Sequence, residues 1–303
     1  MSRIRSIIKG SGHYLPSLLV KNGSFEKNTF HNEDGTLFPS SSSEIIQKFH
    51  IITGIKERRY LTEDLQSSDM AAIASEKAIL DSGIDRESID HIIIAHNFGD
   101  IQSDKSIPEM MPSLGAKVKN KLGIKNPNCV CYDIIFGCPG WVQAMIQADV
   151  YIKSGYAKTC LVVGTESLSR MVDPTDRDAM IFSDGAGAVI VTALESDKEV
   201  GIINHSSITH AAQDLNYLTM GGSNKQGDDD NLYIKMKGRK IYNYALLEVP
   251  KAIKSCLDKD EFVIDDIDKI LIHQANEKMD VAIGNRLYSL YGYEEMPKNK
   301  MPM

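Results

Sequence analysis

The 303-residue sequence has no uninterrupted apolar run near the ~18–20 residues that cross a bilayer, so no membrane span is expected. It has five cysteines, an odd count whose spacings form no disulfide framework. A reducing compartment follows most simply, and the cytoplasm is the expected location. The opening stretch "MSRIRSIIKGSGHYLP" lacks an apolar core and a small-residue cleavage site, so no signal peptide is expected. No segment is rich enough in proline or glycine to read as collagen-like or disordered. Positive charge is in deficit: 34 Lys and Arg against 41 Asp and Glu leave a net charge of −7. That balance argues against a non-specific nucleic-acid binder. Cys129 and Cys131 have no second pair at zinc-ligand spacing, and the aspartate run 228–230 reads as a solvated loop, so no metal is expected.

What is present is strand–helix alternation. Six short β-branched runs read as buried strands: 5–12, 90–97, 128–136, 159–167, 187–194 and 268–276. Between them, 67–83, 108–123, 138–155, 240–257 and 277–292 read as helices. The first has Ser67, Ser68 and Asp69 as N-cap candidates and Gly83 as a C′ residue. Continuous apolar strands alternating with helices predict a mostly parallel sheet covered on its faces, an α/β fold. There is an internal echo at an offset of 178, where Ile89, Asp90 and Ile92 match Ile267, Asp268 and Ile270. It favours a duplicated α/β unit with a second half shorter than the first. Two polar stretches, 31–44 and 221–231, read as loops, the second as mobile surface.

Among the cysteines, Cys138 has the distinctive setting, in "DIIFGCPGWVQAM". A strand ends before it and a helix begins after it, with Pro139 suited to the first turn. Gly137 and Gly140 remove bulk on both sides. A thiol at a helix N-terminus is expected to have a lowered pKa, and the local N–H groups suit an oxyanion. The same position also fits a packed free cysteine. Cys129 and Cys131 read as core, Cys160 starts an apolar strand, and Cys256 lies on an amphipathic helix. A nucleophilic cysteine needs an acid–base partner. His273 ends a predicted strand at the carboxyl edge, where α/β proteins bind ligands. His96 has an equivalent place in the first half.

Four stretches together, "ITGIKERRY" (52–60), "YDIIFGCPGWVQAMIQADVYIKSG" (132–155), "CLVVGTESLSRMVDPTDRDAMIFSDGAGAVIV" (160–191) and "ILIHQAN" (270–276), resemble the β-ketoacyl-acyl carrier protein synthase III family. The resemblance implies a thiolase-like fold of duplicated α/β/α/β/α layers: 1–197 the first half, with an insertion near 31–48, and 198–303 an incomplete second. It implies an acyltransferase of fatty-acid synthesis. Cys138 takes an acyl group from a thioester, and His273, rather than His96, stabilises the enolate left when malonyl-acyl carrier protein loses CO₂. Related readings are a ketosynthase of secondary metabolism, or an inactive subunit serving as a dimer partner.

The resemblance also implies Arg177 ("DPTDR"), Met111 ("MPS") and Gly238 at the substrate path. Met111 is expected to gate the acyl pocket across a homodimer; a helix-core methionine is the other reading. Lys278, with Arg239 and Lys240 in the basic stretch 235–240, is implied in docking acyl carrier protein. No cofactor is implied; acyl-coenzyme A or an acylated carrier is the donor. The family's tryptophan and arginine before "TGI" are absent, with Phe49 and Ile52 nearby. Its third catalytic residue, an asparagine in Gly-Asn-Ser/Thr, has no counterpart: Gly284-Asn285 is followed by Arg286, and Asn299 lacks the context. The expectation is a chain ending before that segment, poor at full condensation and with apolar sheet surface uncovered.

Overall fold

The computed structural model describes residues 3–102, 106–225, 227, 230–260 and 262–302. In chain order the strands are β1 (Arg3–Tyr14), β2 (Leu18–Lys21), β3 (Glu57–Tyr60), β4 (His91–His96), β5 (Asp100–Ile101), β6 (Pro108–Glu109), β7 (Val130–Ile135), β8 (Thr159–Ser167), β9 (Asp184–Ser196), β10 (Leu218–Gly221) and β11 (Tyr233–Met236). The helices are α1 (Ser42–Thr53), α2 (Ser67–Ser82), α3 (Leu114–Lys121), α4 (Gly140–Lys153), α5 (Gly238–Leu257) and α6 (Glu277–Ser289). They form two compact units. The first comprises 1–19, 59–170 and 183–203, and the second 20–58, 171–182 and 204–303. The second unit thus takes two stretches, 20–58 and 171–182, from the half of the chain before residue 197.

In the first unit, five strands form one sheet in the order β1-β9-β8-β4-β7. The expected mostly parallel sheet is mixed. β4 pairs parallel with β7 and β8, whereas β9 pairs antiparallel with both β8 and β1. The reason lies at residues 168–183, which carry only short 3₁₀ turns and no crossover helix, so the chain returns antiparallel. Alternation decides which face each side chain serves. Ile92, Ile94, Leu161 and Val163 join α2 and α3 in one apolar cluster. Ile93, Cys160 and Val162 join α4 in the other. Six consecutive buried residues in β4 follow from cover on both faces.

Helix α2 lies hard against β1. A Cβ on Gly12 would sit 2.1 Å from the Ala74 carbonyl oxygen, and one on Gly10 2.5 Å from the Ser82 nitrogen. Only glycine permits that approach.

In the second unit, α5, α6 and the segment 264–301 share an apolar cluster that includes Ile264, Ile270, Leu287 and Tyr288. The predicted strand 268–276 is not a strand. No ladder flanks it among the described residues, and its backbone is tied singly, Ile270 N–H donating to the Lys300 carbonyl at 2.8 Å. Helix α1 occupies the last residues of the predicted 31–44 loop and residues 42–48 of the expected insertion near 31–48. It starts at a capping box: Glu44 N–H donates to Ser41 Oγ at 3.3 Å, and Ser41 N–H donates to Glu44 Oε2 at 2.8 Å. The other predicted loop begins inside β10 and is anchored at Asn224, whose N–H donates to Asp173 Oδ2 at 2.6 Å. The aspartates at 228 and 229 lie outside the described residues.

Candidate active site

The parallel strands β7, β4 and β8 end side by side, and their carboxyl ends carry the chemistry of the first unit. Cys138 lies between β7 and α4 and is exposed. Gly137 before it has φ +74°, a conformation that side-chain-bearing residues rarely adopt, and this turns the chain into the helix. Gly140 begins α4 so close to β4 that an added Cβ would sit 3.1 Å from Ala95 Cβ. The two glycines therefore have different jobs, one conformational and one steric.

The expected lowering of the thiol pKa is not what this setting produces. Lost hydration at the sulfur and the neighbouring Glu166 carboxyl push Cys138 upward, against a smaller favourable effect of its own backbone N–H. The helix terminus is outweighed because a nearby carboxylate and lost water oppose the charged form directly.

Sequence reasoning missed Glu166 and its partner Asn97. Glu166 belongs to β8 and shares the α4-facing side with Cys160, Val162 and Gly164; a Cβ on Gly164 would touch Trp141 of α4 at 3.5 Å. Asn97 follows β4 on the line of Ile93 and Ala95, which faces α4 too. Asn97 Nδ2 donates to Glu166 Oε1 at 2.5 Å. Desolvation nevertheless pushes the Glu166 carboxyl up to about 8, with Asp184 adding to it. The only signal in the sequence was an acid at the end of an apolar strand.

His96 is committed elsewhere. Gly99 N–H donates to its Nδ1 at 2.9 Å, so the proton is on Nε2, which donates to Asp133 Oδ2 at 3.0 Å. Met111 precedes α3 and is 83% exposed, which removes the helix-core reading of that residue.

The remaining predicted residues belong to the second unit. His273 lies before α6, whose N-cap is Asn276, with Oδ1 accepting from Met279 N–H at 3.0 Å. Lost hydration lowers the His273 pKa, so its imidazole is neutral at pH 7. Arg177 lines a cavity of about 430 Å³ with Phe38, whose ring it covers at 4.7 Å. Glu33, Asp34, Asp176 and Asp178 line the same cavity. Phe38 fell within the predicted loop, and nothing in its sequence context marked it. Gly238 opens α5; an added Cβ would meet Asp178 Oδ2 only at 3.5 Å, so space does not demand glycine there. Arg239 and Lys240 are exposed, with Lys240 Nζ 5.3 Å above the Tyr217 ring. Lys278 Nζ donates to the Ile51 carbonyl at 2.6 Å.

Part of the basic stretch is not free. Lys235 Nζ lies 2.5 Å from Asp173 Oδ2 and 2.8 Å from Asn224 Oδ1. Asn285 is likewise structural, its Oδ1 accepting from Met296 N–H at 2.9 Å.

The sequence model described as 3-Oxoacyl-[acyl-carrier-protein (ACP)] synthase III matches residues 132–210. The chain is 36% identical over 285 residues to a β-ketoacyl-[acyl-carrier-protein] synthase III of Vibrio parahaemolyticus, covering 93% of this chain and 81% of that protein. It is 34% identical over 281 residues to the Staphylococcus aureus synthase III, covering 92% and 79%. The crystal structure of 3-oxoacyl-[acyl-carrier-protein] synthase III from Aquifex aeolicus superposes with a TM-score of 0.74 at 30% identity, covering 98% of this chain and 83% of that one. The strand-end cysteine, the mixed five-stranded sheet and these likenesses agree, and the chain belongs to the β-ketoacyl-acyl carrier protein synthase III family, with its thiolase-like fold.

Proposed function

We propose that this protein is a condensing acyltransferase of fatty-acid synthesis that joins an acyl group held on Cys138 to a malonyl unit carried by acyl carrier protein. The observation that carries the reading is Cys138 itself, exposed on the turn between β7 and α4 in a chain of this family. Its thiolate attacks a thioester carbonyl; the sulfur–acyl bond forms, and the donor's thiolate leaves and takes up a proton. The malonyl thioester then loses CO₂ and leaves an enolate. A ring N–H of neutral His273 donates to the enolate oxygen, where preorganised donors contribute most. The enolate carbon attacks the acyl carbonyl, the Cys138 thiolate is released, and a 3-oxoacyl thioester forms.

Arg177, Gly238 and Met111 serve the substrate path in this reading, and Arg239, Lys240 and Lys278 the acidic carrier. The donor is acyl-coenzyme A or an acylated carrier, and no cofactor enters. Four carboxylates around Arg177 oppose a polyphosphate there. A homodimer is supported by β7, the outer strand of its sheet, whose Val130 and Ile135, with Phe136 next in the chain, are exposed. Among the described residues no helix is long and apolar enough to cross a membrane, in keeping with a cytoplasmic enzyme.

The test supplies an acyl thioester and malonyl-acyl carrier protein and follows CO₂ release and 3-oxoacyl product by mass. Product formed by the wild type and lost in Cys138→Ala and His273→Ala supports the reading. Acylated enzyme with no product overturns condensation and leaves acyl transfer.

A further inference from the structure

Three polar groups lie at three adjacent strand ends. Cys138 follows β7, Asn97 follows β4, and Glu166 is in β8, with β4 paired parallel to both β7 and β8. Asn97 and Glu166 lie on the α4 side, and Cys138 enters α4 through its first turn. Just after Cys138, an added Cβ on Gly140 would sit 3.1 Å from Ala95 of β4, and one on Gly164 of β8 3.5 Å from Trp141, so the first turn of α4 lies against these two strand ends. The catalytic steps above use neither Glu166 nor Asn97.

We propose that Glu166, held by Asn97 beside Cys138, is a positioning residue that governs how readily Cys138 becomes a thiolate. The functional consequence rests on reading Cys138 as the nucleophile. Two acids at one site cannot both ionise freely, so the charge of one opposes the charge of the other. With the carboxyl protonated, the thiolate forms against lost hydration alone. With the carboxyl ionised, it forms against a negative neighbour as well. Asn97 tips the balance by donating to the carboxylate and favouring its charged form, whereas lost hydration and Asp184 favour the neutral one. Asp184 is itself held by Ser169 Oγ at 2.5 Å and Leu61 N–H at 2.7 Å, with Arg170 nearby. The remaining ionisable pair at these strand ends, His96 and Asp133, is bonded internally. The only charged side chain acting on the Cys138 thiol among the described residues is Glu166. Above about pH 8 the arrangement limits formation of a reactive thiolate, because the ionised carboxyl opposes a second charge beside it.

The test reads Cys138 directly and needs no substrate. The rate of Cys138 alkylation by iodoacetamide is followed by peptide mass from pH 6 to 10 in wild type, Glu166→Gln, Glu166→Asp and Asn97→Ala. The proposal expects the midpoint in Glu166→Gln to fall by about one unit, raising the rate up to about tenfold above pH 8, where the wild-type carboxyl is ionised, and changing it little at pH 7. Glu166→Asp restores part of the wild-type midpoint. Asn97→Ala, which leaves the carboxyl neutral to higher pH, moves the midpoint in the same downward direction. Unchanged midpoints in Glu166→Gln and Asn97→Ala overturn the proposal and leave Glu166 a packing residue. A higher midpoint in Glu166→Gln also overturns it and makes Glu166 a proton acceptor. Failure of acyl loading on Cys138 counts against the condensing reading only, since the alkylation profile is measured without any thioester.

Discussion

Asp133 and His96 are locked together at the carboxyl ends of β7 and β4, His96 Nε2 donating to Asp133 Oδ2 at 3.0 Å. The same carboxylate starts α3, accepting from Leu114 N–H and Gly115 N–H, each at 2.7 Å. Although lost hydration opposes ionisation, these donors hold the Asp133 pKa below the ordinary carboxylate value of 3.8. A depressed carboxyl pKa stabilises the fold above the unfolded value and loses that contribution as pH falls through the folded one. Asp133→Asn is therefore expected to cost about 3 kcal/mol at pH 7. It should also flatten the acid limb of stability below about pH 4 in urea titrations.

His273 is expected to work as a neutral donor. Its pKa lies below the usual 6.5 because of lost hydration at the ring, so decarboxylation should hold level above pH 6.5 and fall as the ring protonates in acid. His273→Ala should leave acyl loading intact and lower malonyl decarboxylation by about 10²–10³. The check is loading by intact mass against CO₂ release in the same preparation.

The cavity around Arg177 should sense acid. Lost hydration and the neighbouring Asp176 push Asp178 up to about 6, with Arg177 opposing. Protonating Asp178 removes one negative charge, so coenzyme A should bind about three- to tenfold tighter at pH 5.5 than at 7.5. Asp178→Asn should bind it equally at both pH values, as read by calorimetry.

Asp280 is a liability within α6. It is 1% exposed, its Oδ1 has no hydrogen-bond partner among the described residues, and burial pushes its pKa up to about 6. A raised carboxyl pKa favours the fold below the unfolded value of 3.8, and that contribution is lost as pH rises through about 6. Asp280→Asn should gain about 1–3 kcal/mol at pH 7 and flatten stability between pH 4 and 6, measured by urea midpoints.

Local signals carried most of the first unit. The strand 159–167 was legible to the residue because cover on both faces forces the apolar run Cys160–Val163 between polar ends. Gly83 with φ +65° ended α2 where the sequence placed a stop. The misses have physical causes. The segment 268–276 has strand composition, yet a strand exists only where another pairs with it, and pairing is not local. Helix α1 was hidden by serine-rich composition, although Ser41 and Glu44 had capping-box spacing. At the site, Cys138 and Gly137 were legible from their turn chemistry. Glu166 was not, because its proximity to Cys138 depends on three strands aligning across the sheet. Lost hydration at the sulfur, with that proximity adding to it, raises the thiol pKa instead of lowering it.

The central claim is that Cys138 accepts the acyl group. Incubating the protein with an acyl-coenzyme A, and separately with an acylated carrier, and recording intact mass tests it most directly. One added acyl group is expected, mapped by peptide mass to Cys138 and absent from Cys138→Ala. An unmodified chain with both donors, or an acyl group retained in Cys138→Ala, would contradict it.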